Sequence, residues 1–176
     1  MSEQVTKVLI SEEQIRRRVM ELGCQLTADY QGKELFVLGI LKGSVVFMSD
    51  LIRAIDLPLQ IDFIAVSSYG KSTRSSGVVR IIKDLDADIQ GKDLLIVEDI
   101  VDSGLTLSYL REIFLSRNPA SLKICTFLDK PSRRVADVIP DYNGYQIPDE
   151  FVVGYGLDYA EKYRNLPYVG VVEFVD

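Results

Sequence analysis

Three carboxylates stand close together at the end of an apolar run, within LLIVEDIVDSGLTLSYL at residues 94–110. Glu98 and Asp99 are adjacent, and Asp102 follows before the next apolar stretch begins. A carboxylate at the end of a buried strand carries a desolvation penalty unless it is paired, hydrated or bound to a ligand. The pattern therefore indicates a polar binding site, with a solvated turn as the alternative.

The DSGLT loop, residues 102–106, leads from these acids into a segment that we predict to be helical. A helix N-terminus presents unpaired backbone N–H groups and a partial positive charge, which together suit a phosphate. Gly104 would let the backbone come close to such a ligand, and the hydroxyls of Ser103 and Thr106 could donate to it. A plain helix cap by Ser103 is the alternative. The Walker pattern G-x-x-x-x-G-K-[ST] is absent, which argues against NTP hydrolysis.

The rest of the hydrophobic pattern predicts a scaffold for these residues. Runs suited to strands are ELFVLGIL, LQIDFIAVSSY, VVRII, KDLLIVE and LKICTFL, which begin at residues 34, 59, 78, 92 and 122. Helices are predicted within 11–26, over 44–55 and from about 104 to 116, and shorter strands are predicted in the last third. This alternation indicates an α/β fold with a mostly parallel central sheet, in which ligands bind beyond the carboxyl ends of the strands.

The first helix has a clear start signal. Ser11 is followed three residues later by Gln14, which is a capping-box pattern. The apolar residues that fall on one face of the helix are Ile15, Val19, Leu22 and Leu26. This face is expected to pack on the sheet.

Length and composition indicate one globular domain. The chain has 176 residues, of which 47% are hydrophobic and 26% charged. Its apolar runs, of roughly five to seven residues, are far short of the ~20 that cross a bilayer, and the N-terminal MSEQVTKVLI lacks the apolar region of a secretory signal. We therefore expect a cytoplasmic protein with no membrane contact. The net charge of −6 argues against a general nucleic-acid binder.

The chain contains no histidine. This excludes Ser-His-Asp and Cys-His catalysis and any His-ligated zinc or iron site. The two cysteines, Cys24 and Cys125, have no metal-ligand spacing. Proton transfer would then depend on Asp, Glu, Lys or Tyr, and a bound metal should be a hard ion such as Mg²⁺.

Several motifs together resemble a known family. LLIVEDIVDSGLT resembles the phosphoribosyl pyrophosphate signature of the type I phosphoribosyltransferases. LKGS at 41–44, SSYG at 67–70, FLDKPSRR at 127–134 and PDEFVVGYGLDYAEKYRNLPYVG at 148–170 are similar, in order and spacing, to the hypoxanthine-guanine branch. The resemblance spans nearly the whole chain. It implies a twisted sheet flanked by helices in one domain, 1–176, with a small hood formed by about 1–10 and 140–176.

The resemblance implies how the sugar diphosphate is bound. Glu98 and Asp99 would bind the ribose hydroxyls, partly through Mg²⁺, and Asp158 would contact the base region and, through water, a second Mg²⁺. The DSGLT loop would hold the 5′-phosphate. After Asp102, the loop consists of Ser103, Gly104, Leu105 and Thr106. Some members carry Lys in place of Leu105, but backbone amides and hydroxyls suffice to bind a phosphate.

The resemblance also assigns the base site. Asp102 would be the general base or acid at purine N7, which agrees with the absence of histidine. Lys130 would donate to the 6-oxo group, which adenine lacks. Phe151 would stack on the base and the backbone of Val152 would read its edge. Without the resemblance, Lys130 would be a surface lysine, and the two apolar residues would be strand interior.

Two further segments complete the implied site. Residues 41–43 would form the pyrophosphate loop through Lys42 and Gly43, and the family has a non-proline cis peptide before the lysine. Arg164 would bind the pyrophosphate with its rigid guanidinium fork. SSYGKSTRSSG at 67–77 would be a lid, in which Ser68 and Tyr69 close over the reacting centre and exclude water.

The activity implied by the resemblance is a step of purine salvage. Phosphoribosyl pyrophosphate and hypoxanthine or guanine would give IMP or GMP and pyrophosphate, with Mg²⁺ as cofactor. The protein would form a homo-oligomer, a dimer or tetramer. Alternatives are a non-catalytic regulator that senses the sugar diphosphate and binds RNA or DNA, a transferase for adenine, xanthine, uracil or orotate, and a phospho-acceptor module. Lys130 and FVVGYGLDY favour a 6-oxopurine.

Overall fold

The computed structural model describes residues 2–68 and 79–175, and these residues form two β-sheets and three α-helices. The strands are β1 (Ser2–Ile10), β2 (Leu35–Leu41), β3 (Leu59–Ser68), β4 (Val79–Lys83), β5 (Asp93–Val101), β6 (Ser121–Asp129), β7 (Tyr142–Gln146), β8 (Val152–Val153) and β9 (Val169–Val175). The helices are α1 (Glu12–Asp29), α2 (Val45–Ala54) and α3 (Leu105–Leu115), and a short 3₁₀ turn covers Pro131–Arg133.

The larger sheet has six strands and is parallel except at one edge. Its order is β4-β3-β2-β5-β6-β7, and β4 pairs antiparallel with β3. Successive residues of β5 are buried on opposite faces: Leu95 and Val97 pack in the cluster of α1 and α2, and Leu94 and Ile96 pack in the cluster of α3. Burial on both faces explains why this strand is a continuous apolar run. The predicted α/β fold is confirmed.

The first helix forms as its sequence predicts. The Ser11 hydroxyl accepts the Gln14 backbone N–H at 3.2 Å, and the Gln14 side chain accepts the Ser11 N–H at 2.8 Å, which completes the capping box. The predicted apolar face is buried and comprises Ile15, Val19, Leu22 and Leu26. Among the described residues, no helix has both the length and the apolar character needed to cross a membrane.

The chain leaves β2 and β5 toward opposite faces of the sheet. β2 leads into α2, which packs with α1 on one face, whereas β5 leads into α3 on the other. Because β2 and β5 are parallel neighbours, the loops that follow them diverge and leave a crevice. A crevice at such a topological switch point is where α/β folds bind ligands.

The structure extends β5 beyond its predicted end. The sequence predicts a strand over 92–98, but β5 continues through both acids to Val101. Pairing with β2 stops at Val97, whereas pairing with β6 continues to Val101, which lies opposite Asp129. Glu98 and Asp99 therefore lie beyond the last β5 residue that pairs with β2, while pairing with β6 continues alongside them. Their positions are set by the sheet and not by a loose turn.

The smaller sheet brings the two ends of the chain together. Its order is β1-β9-β8, with antiparallel pairing throughout. No strand is predicted for β1, because its pattern is weak: Ile10 is buried, but Val8 is exposed. β1 forms because it pairs with β9, which lies more than 150 residues away in the chain, and not because it has an apolar face of its own.

We expect Phe127→Ala to destabilise the fold strongly. The Phe127 ring is fully buried, and its centroid lies 5.2 Å from that of Phe47 and 4.9 Å from that of Tyr155. Loss of such a ring should lower the free energy of unfolding by about 3–5 kcal/mol, as measured by urea denaturation. Ile139→Ala is the control, because Ile139 is 80% exposed and its loss should change stability by no more than about 0.5 kcal/mol. Equal effects of the two substitutions would contradict this description of the core.

Candidate active site

The crevice between β2 and β5 forms a cleft of about 390 Å³. The predicted site residues that line it are Gly43, Glu98, Asp99, Asp102, Ser103, Gly104, Thr106, Asp158 and Arg164. Apolar residues from the ends of β2, β3 and β5 form much of the rest of its wall. The structure therefore brings together the acids, the DSGLT loop and the segment 158–164 from late in the chain.

A second cavity, of about 590 Å³, lies between α1 and α2 and has a more apolar lining. It shares Arg164 with the cleft, but none of the three predicted acids lines it. The smaller cleft is the candidate active site because it holds the carboxylates, and size alone does not decide between the two cavities.

The acid pair, Glu98 and Asp99, is half-buried and braced by local hydrogen bonds. Glu98 Oε1 accepts the Asp99 N–H at 2.9 Å, and Asp99 Oδ1 accepts the Ile100 N–H at 2.7 Å. Removal from water raises the pKa of Glu98 well above its ordinary range, and the neighbouring Asp99 raises it further. Desolvation also raises the pKa of Asp99, although the bond to Glu98, the Ile100 N–H and the Arg164 charge oppose it. The pair therefore favours a shared proton or a bound cation.

Gly43 lies directly against the acid pair. Any side chain at this position would collide with the Asp99 carboxylate. The peptide bond between Leu41 and Lys42 is cis, in agreement with the pattern that the family resemblance implies. The loop after β2 thus places its backbone within reach of whatever the acids bind.

The DSGLT loop forms the entry to α3. Gly104 has a φ of 78°, a left-handed conformation that favours glycine, and α3 begins at Leu105. The Ser103 hydroxyl accepts the Leu105 N–H at 3.3 Å, but the N-cap position is occupied by Gly104 and not by Ser103. The Ser103 carbonyl accepts the N–H groups of Val135 and Ala136 at 2.9 and 3.0 Å, which anchors the loop from outside. The first turn of α3 faces the cleft with N–H groups that its own helix cannot satisfy.

Arg134 supports this loop, although sequence analysis does not identify it. Its guanidinium pairs with Asp129 at the end of β6 and donates to the Asp102 carbonyl at 3.2 Å. A side chain at Gly104 would contact it. The loop conformation therefore depends on a partner 30 residues further along the chain.

Lys130 is a buried lysine and not the surface lysine that composition alone suggests. It is 7% exposed, and its N–H donates to the Val101 carbonyl at 2.9 Å. Its ammonium nitrogen lies 3.8 Å from Asp102 Oδ1 and 3.8 Å from Asp149 Oδ1. Lys130 and the third acid thus meet beside the cleft. Asp149 is a further member of the group that sequence analysis does not identify.

Phe151 and Val152 differ in environment. The Phe151 side chain is 47% exposed, so it is not a core residue, whereas Val152 is buried in β8 and pairs with Val171. The Phe151 ring meets Tyr159 edge-on, with centroids 5.7 Å apart, and Phe174 completes an aromatic cluster. Such contacts hold the ring in a defined orientation while part of it stays open to a ligand.

Two basic side chains near the cleft, Lys42 and Arg164, form ion pairs with acidic residues. Lys42 Nζ lies 2.8 Å from Glu161 Oε2, and a hydrogen bond from Lys42 lowers the pKa of Glu161. The Arg164 guanidinium lies 3.0 Å from Asp158 Oδ1 and 3.5 Å from Glu161 Oε1, and it donates to the Gly156 carbonyl at 2.8 Å. Glu161 therefore holds both predicted pyrophosphate ligands. Sequence analysis does not assign it a role.

The segment that carries these acids has an unusual backbone. Four non-glycine residues adopt positive φ within a short stretch: Tyr155, Ala160, Glu161 and Tyr163. Such conformations cost free energy and tend to occur where function requires a specific backbone path. Here that path places Asp158 and Arg164 on the cleft wall.

The carboxylates of the cleft are partly suited to binding a hard divalent cation. Glu98 and Asp99 supply oxygen ligands whose mutual repulsion a cation would offset. Asp158 is occupied by Arg164 and the Glu161 N–H, and the described residues contain no group of three or more side chains able to hold a metal. Mg²⁺ is commonly bound by one or two carboxylates, with water and substrate phosphates completing its shell, which is compatible with this arrangement.

The remaining predicted residues are not part of the cleft lining or lie beyond the described part. The lining does not include Lys42, Lys130, Phe151 or Val152, and Leu105 starts α3. Ser68 ends β3, but its side chain falls outside the described residues, as does all of Tyr69. The proposed lid therefore stays a prediction.

We expect Glu98→Gln to stabilise the metal-free protein at alkaline pH. Because the pKa of Glu98 is higher in the folded state, its ionisation opposes folding, and this penalty grows as pH rises through the folded pKa. With a chelator present, the urea midpoint of the variant should exceed that of the unsubstituted protein at about pH 8 and approach it at about pH 4.5. Glu112→Gln, at an exposed position on α3, is the control. A Glu98→Gln effect that does not vary with pH would refute the assignment of desolvation as its cause.

Comparison with known proteins agrees with this geometry. Residues 9–160 match the family model for the phosphoribosyl transferase domain. The chain is 59% identical over 173 residues to the hypoxanthine-guanine phosphoribosyltransferase of Bacillus subtilis, which covers 98% of this chain and 96% of the relative. It is 55% identical over 172 residues to the hypoxanthine phosphoribosyltransferase of Salmonella typhimurium, with 97% of each chain covered. A crystal structure of a hypoxanthine phosphoribosyltransferase from Staphylococcus aureus superposes with a TM-score of 0.94 at 57% identity, covering 96% of this chain and 92% of that one. The chain therefore belongs to the phosphoribosyltransferase family, in its hypoxanthine-guanine branch.

Proposed function

We propose that the protein transfers the 5-phosphoribosyl group from phosphoribosyl pyrophosphate to hypoxanthine and guanine, which gives IMP or GMP and pyrophosphate. The observation that carries this proposal is the meeting of three groups at one switch point: the acid pair, the start of α3, and a buried lysine beside a carboxylate. Each group suits one part of such a reaction, namely the sugar, its 5′-phosphate and the base.

The sugar would bind between the acid pair and α3. Glu98 and Asp99 would accept hydrogen bonds from the ribose hydroxyls, because carboxylates act only as acceptors when ionised. The N–H groups of the DSGLT loop, with the hydroxyls of Ser103 and Thr106, would hold the 5′-phosphate at the positive end of α3. The cleft lining supports this assignment, since all four side chains face the same space.

The pyrophosphate would be held by Lys42 and Arg164. Both now contact Glu161, so its carboxylate occupies cations that a diphosphate could bind. When substrate binds, the two cations would exchange their exposed contacts with Glu161 for stronger contacts with the diphosphate, because a diphosphate carries more charge than one carboxylate. Gly43 would let the backbone approach the same group.

Mg²⁺ held by Glu98 and Asp99 would neutralise the charge that develops on the leaving pyrophosphate. Asp158 would join as a ligand through water, as the family pattern implies. In the structure, Asp158 contacts Arg164 at 3.0 Å, so a movement of Arg164 toward pyrophosphate would release this carboxylate. The two changes would therefore be coupled.

The base would lie between Phe151 and Lys130. The exposed part of the Phe151 ring would stack on the purine, and the backbone of Val152 would bond to its edge. The Lys130 ammonium would donate to the 6-oxo group, whereas a 6-amino group offers no acceptor and would leave that nearly buried donor without a hydrogen bond to the base. This contrast favours hypoxanthine and guanine over adenine.

Asp102 would be the general base for the proton on purine N7. As the C1′–O bond to pyrophosphate breaks, purine N9 would attack C1′, and the proton on N7 would pass to the Asp102 carboxylate. Asp102 is exposed to the cleft and lies beside Lys130, so it is near the part of the base that Lys130 would orient. In the reverse reaction the protonated carboxyl would act as the acid.

The domain organisation, the cellular location and the oligomeric state are also proposals. A hood over the base would be formed by about 1–10 and 140–176, within a single domain over 1–176; of these segments, β1, β8 and β9 lie in the small sheet and β7 in the larger one. The protein would act in the cytoplasm as a homo-oligomer, a dimer or tetramer. Each rests on the family pattern and not on a contact described above.

A spectrophotometric assay with each free base tests the proposed function. Purified protein with Mg²⁺ and phosphoribosyl pyrophosphate should form nucleotide from hypoxanthine and from guanine, and far less from adenine, uracil or orotate. Formation of nucleotide from none of the bases would favour a regulator that senses the sugar diphosphate. A preference for adenine would contradict the role given to Lys130.

We expect Asp102→Asn to lower kcat by roughly 10²-fold or more, because the amide cannot accept the N7 proton. Binding of phosphoribosyl pyrophosphate should be largely unchanged, since the loop backbone is retained. Steady-state kinetics and calorimetry measure the two quantities. Asp137→Asn, at an exposed acid outside the cleft lining, is the control. Unchanged turnover in Asp102→Asn would remove this carboxylate from the mechanism.

A further inference from the structure

Asp149 is an acid with no role in the site described so far. It lies in the segment between β7 and β8, and its side chain is half-exposed. The segment is fixed close to Lys130, because the Ile147 N–H donates at 2.9 Å to the carbonyl of Asp129, the residue before Lys130. The position of Asp149 relative to the lysine is therefore set by the backbone.

The Lys130 ammonium lies equally close to two carboxylates. Its nitrogen is 3.8 Å from Asp102 Oδ1 and 3.8 Å from Asp149 Oδ1. Both distances exceed the length of a hydrogen bond, so both carboxylates attract the lysine by charge and its donors are not committed to either acid. A nearly buried ammonium needs such compensation.

We propose that Asp149 is a positioning residue for the transfer reaction. As a second carboxylate at the same distance, it offsets the attraction of Asp102, keeps Lys130 directed at the base and keeps the lysine from closing onto Asp102. The proposal rests on the proposed function and deepens it, because it explains how a lysine and a general base can lie side by side without neutralising one another.

A simple surface pair does not account for Asp149. The acid also contacts Arg133, with Nη1 3.3 Å from Asp149 Oδ2, but both side chains are about half-exposed. Pairs of this kind contribute little. The contact with Lys130 differs because the lysine side chain is only 9% exposed, so water screens it less.

Removal of the Asp149 charge would leave Asp102 as the remaining carboxylate of the two that attract Lys130. The ammonium would then shift toward Asp102, away from the 6-oxo group, and one direct ion pair would replace two longer contacts. Base recognition should weaken, and binding of the sugar diphosphate should not, because Asp149 does not line the cleft of acids and DSGLT loop.

Steady-state kinetics of Asp149→Asn test the proposal. We expect the KM for hypoxanthine and for guanine to rise about tenfold or more, the loss typical of a misplaced charged donor. The KM for phosphoribosyl pyrophosphate should stay within about twofold, because its binding groups are untouched. Asp149→Glu, which keeps the charge, should recover much of the loss.

Arg133→Gln is the matched control. It removes the surface pair of Asp149 but leaves the contact with Lys130, so it should not alter either KM. In a Lys130→Met background, Asp149→Asn should have little further effect, because the two residues act as one unit. Urea denaturation of each variant separates these kinetic effects from loss of fold.

Three results would overturn the inference. They are an unchanged KM for the bases in Asp149→Asn, an equal rise in both KM values, or the same losses in Arg133→Gln. If the unsubstituted enzyme is active, any of these results would refute the role of Asp149 but leave the proposed function intact. An unsubstituted enzyme that forms no nucleotide would instead remove the proposed function itself.

Discussion

The site depends on two adjacent carboxylates that the sheet holds partly out of water. Glu98 and Asp99 are adjacent residues of β5 at the point where pairing with β2 has stopped and pairing with β6 continues. Neither acid can swing freely into solvent, because the strand holds the backbone of both. Desolvation raises the pKa of each, so the pair stores an unfavourable interaction that a cation or a set of hydroxyl donors can relieve.

The neighbouring structure adapts to this constraint. Gly43 leaves room for the Asp99 carboxylate, and the Arg164 charge opposes the desolvation of the same group. The loops diverge after β2 and β5 because their helices pack on opposite faces, and the space between them becomes the cleft. The fold thus supplies a wall of carboxylates opposite the positive end of α3.

The cations around the cleft are paired within the chain before any ligand arrives. Lys42 is held by Glu161, Arg164 by Asp158 and Glu161, and Lys130 by two acids. A polyanionic substrate with a polar base would exchange these partners for its own groups. Such an arrangement keeps charged side chains near their working positions, so little side-chain ordering remains for the moment of binding.

Local sequence patterns predicted much of this architecture, and long-range pairing explains what they missed. The capping box at Ser11 and the apolar runs of β2, β5 and β6 were readable because each depends on nearby residues. The acids and the DSGLT loop were also predicted from local pattern, whereas Lys130, Phe151 and Arg164 were assigned by the resemblance, since a lysine such as Lys130 has no local signal for burial. Glu161 escaped notice because its partner Lys42 is 119 residues away. β1 likewise forms only through β9, and β5 runs past its predicted end because β6 continues beside it.

The central claim is that the acid pair binds the sugar of the substrate. Isothermal titration calorimetry of phosphoribosyl pyrophosphate with Mg²⁺ tests it directly, by comparing the unsubstituted protein with Asp99→Asn. The account predicts that the substitution weakens binding by about tenfold or more, the loss expected when a charged hydrogen-bond acceptor is removed. Equal affinity for the two proteins would contradict it and would place the ribose elsewhere in the cleft.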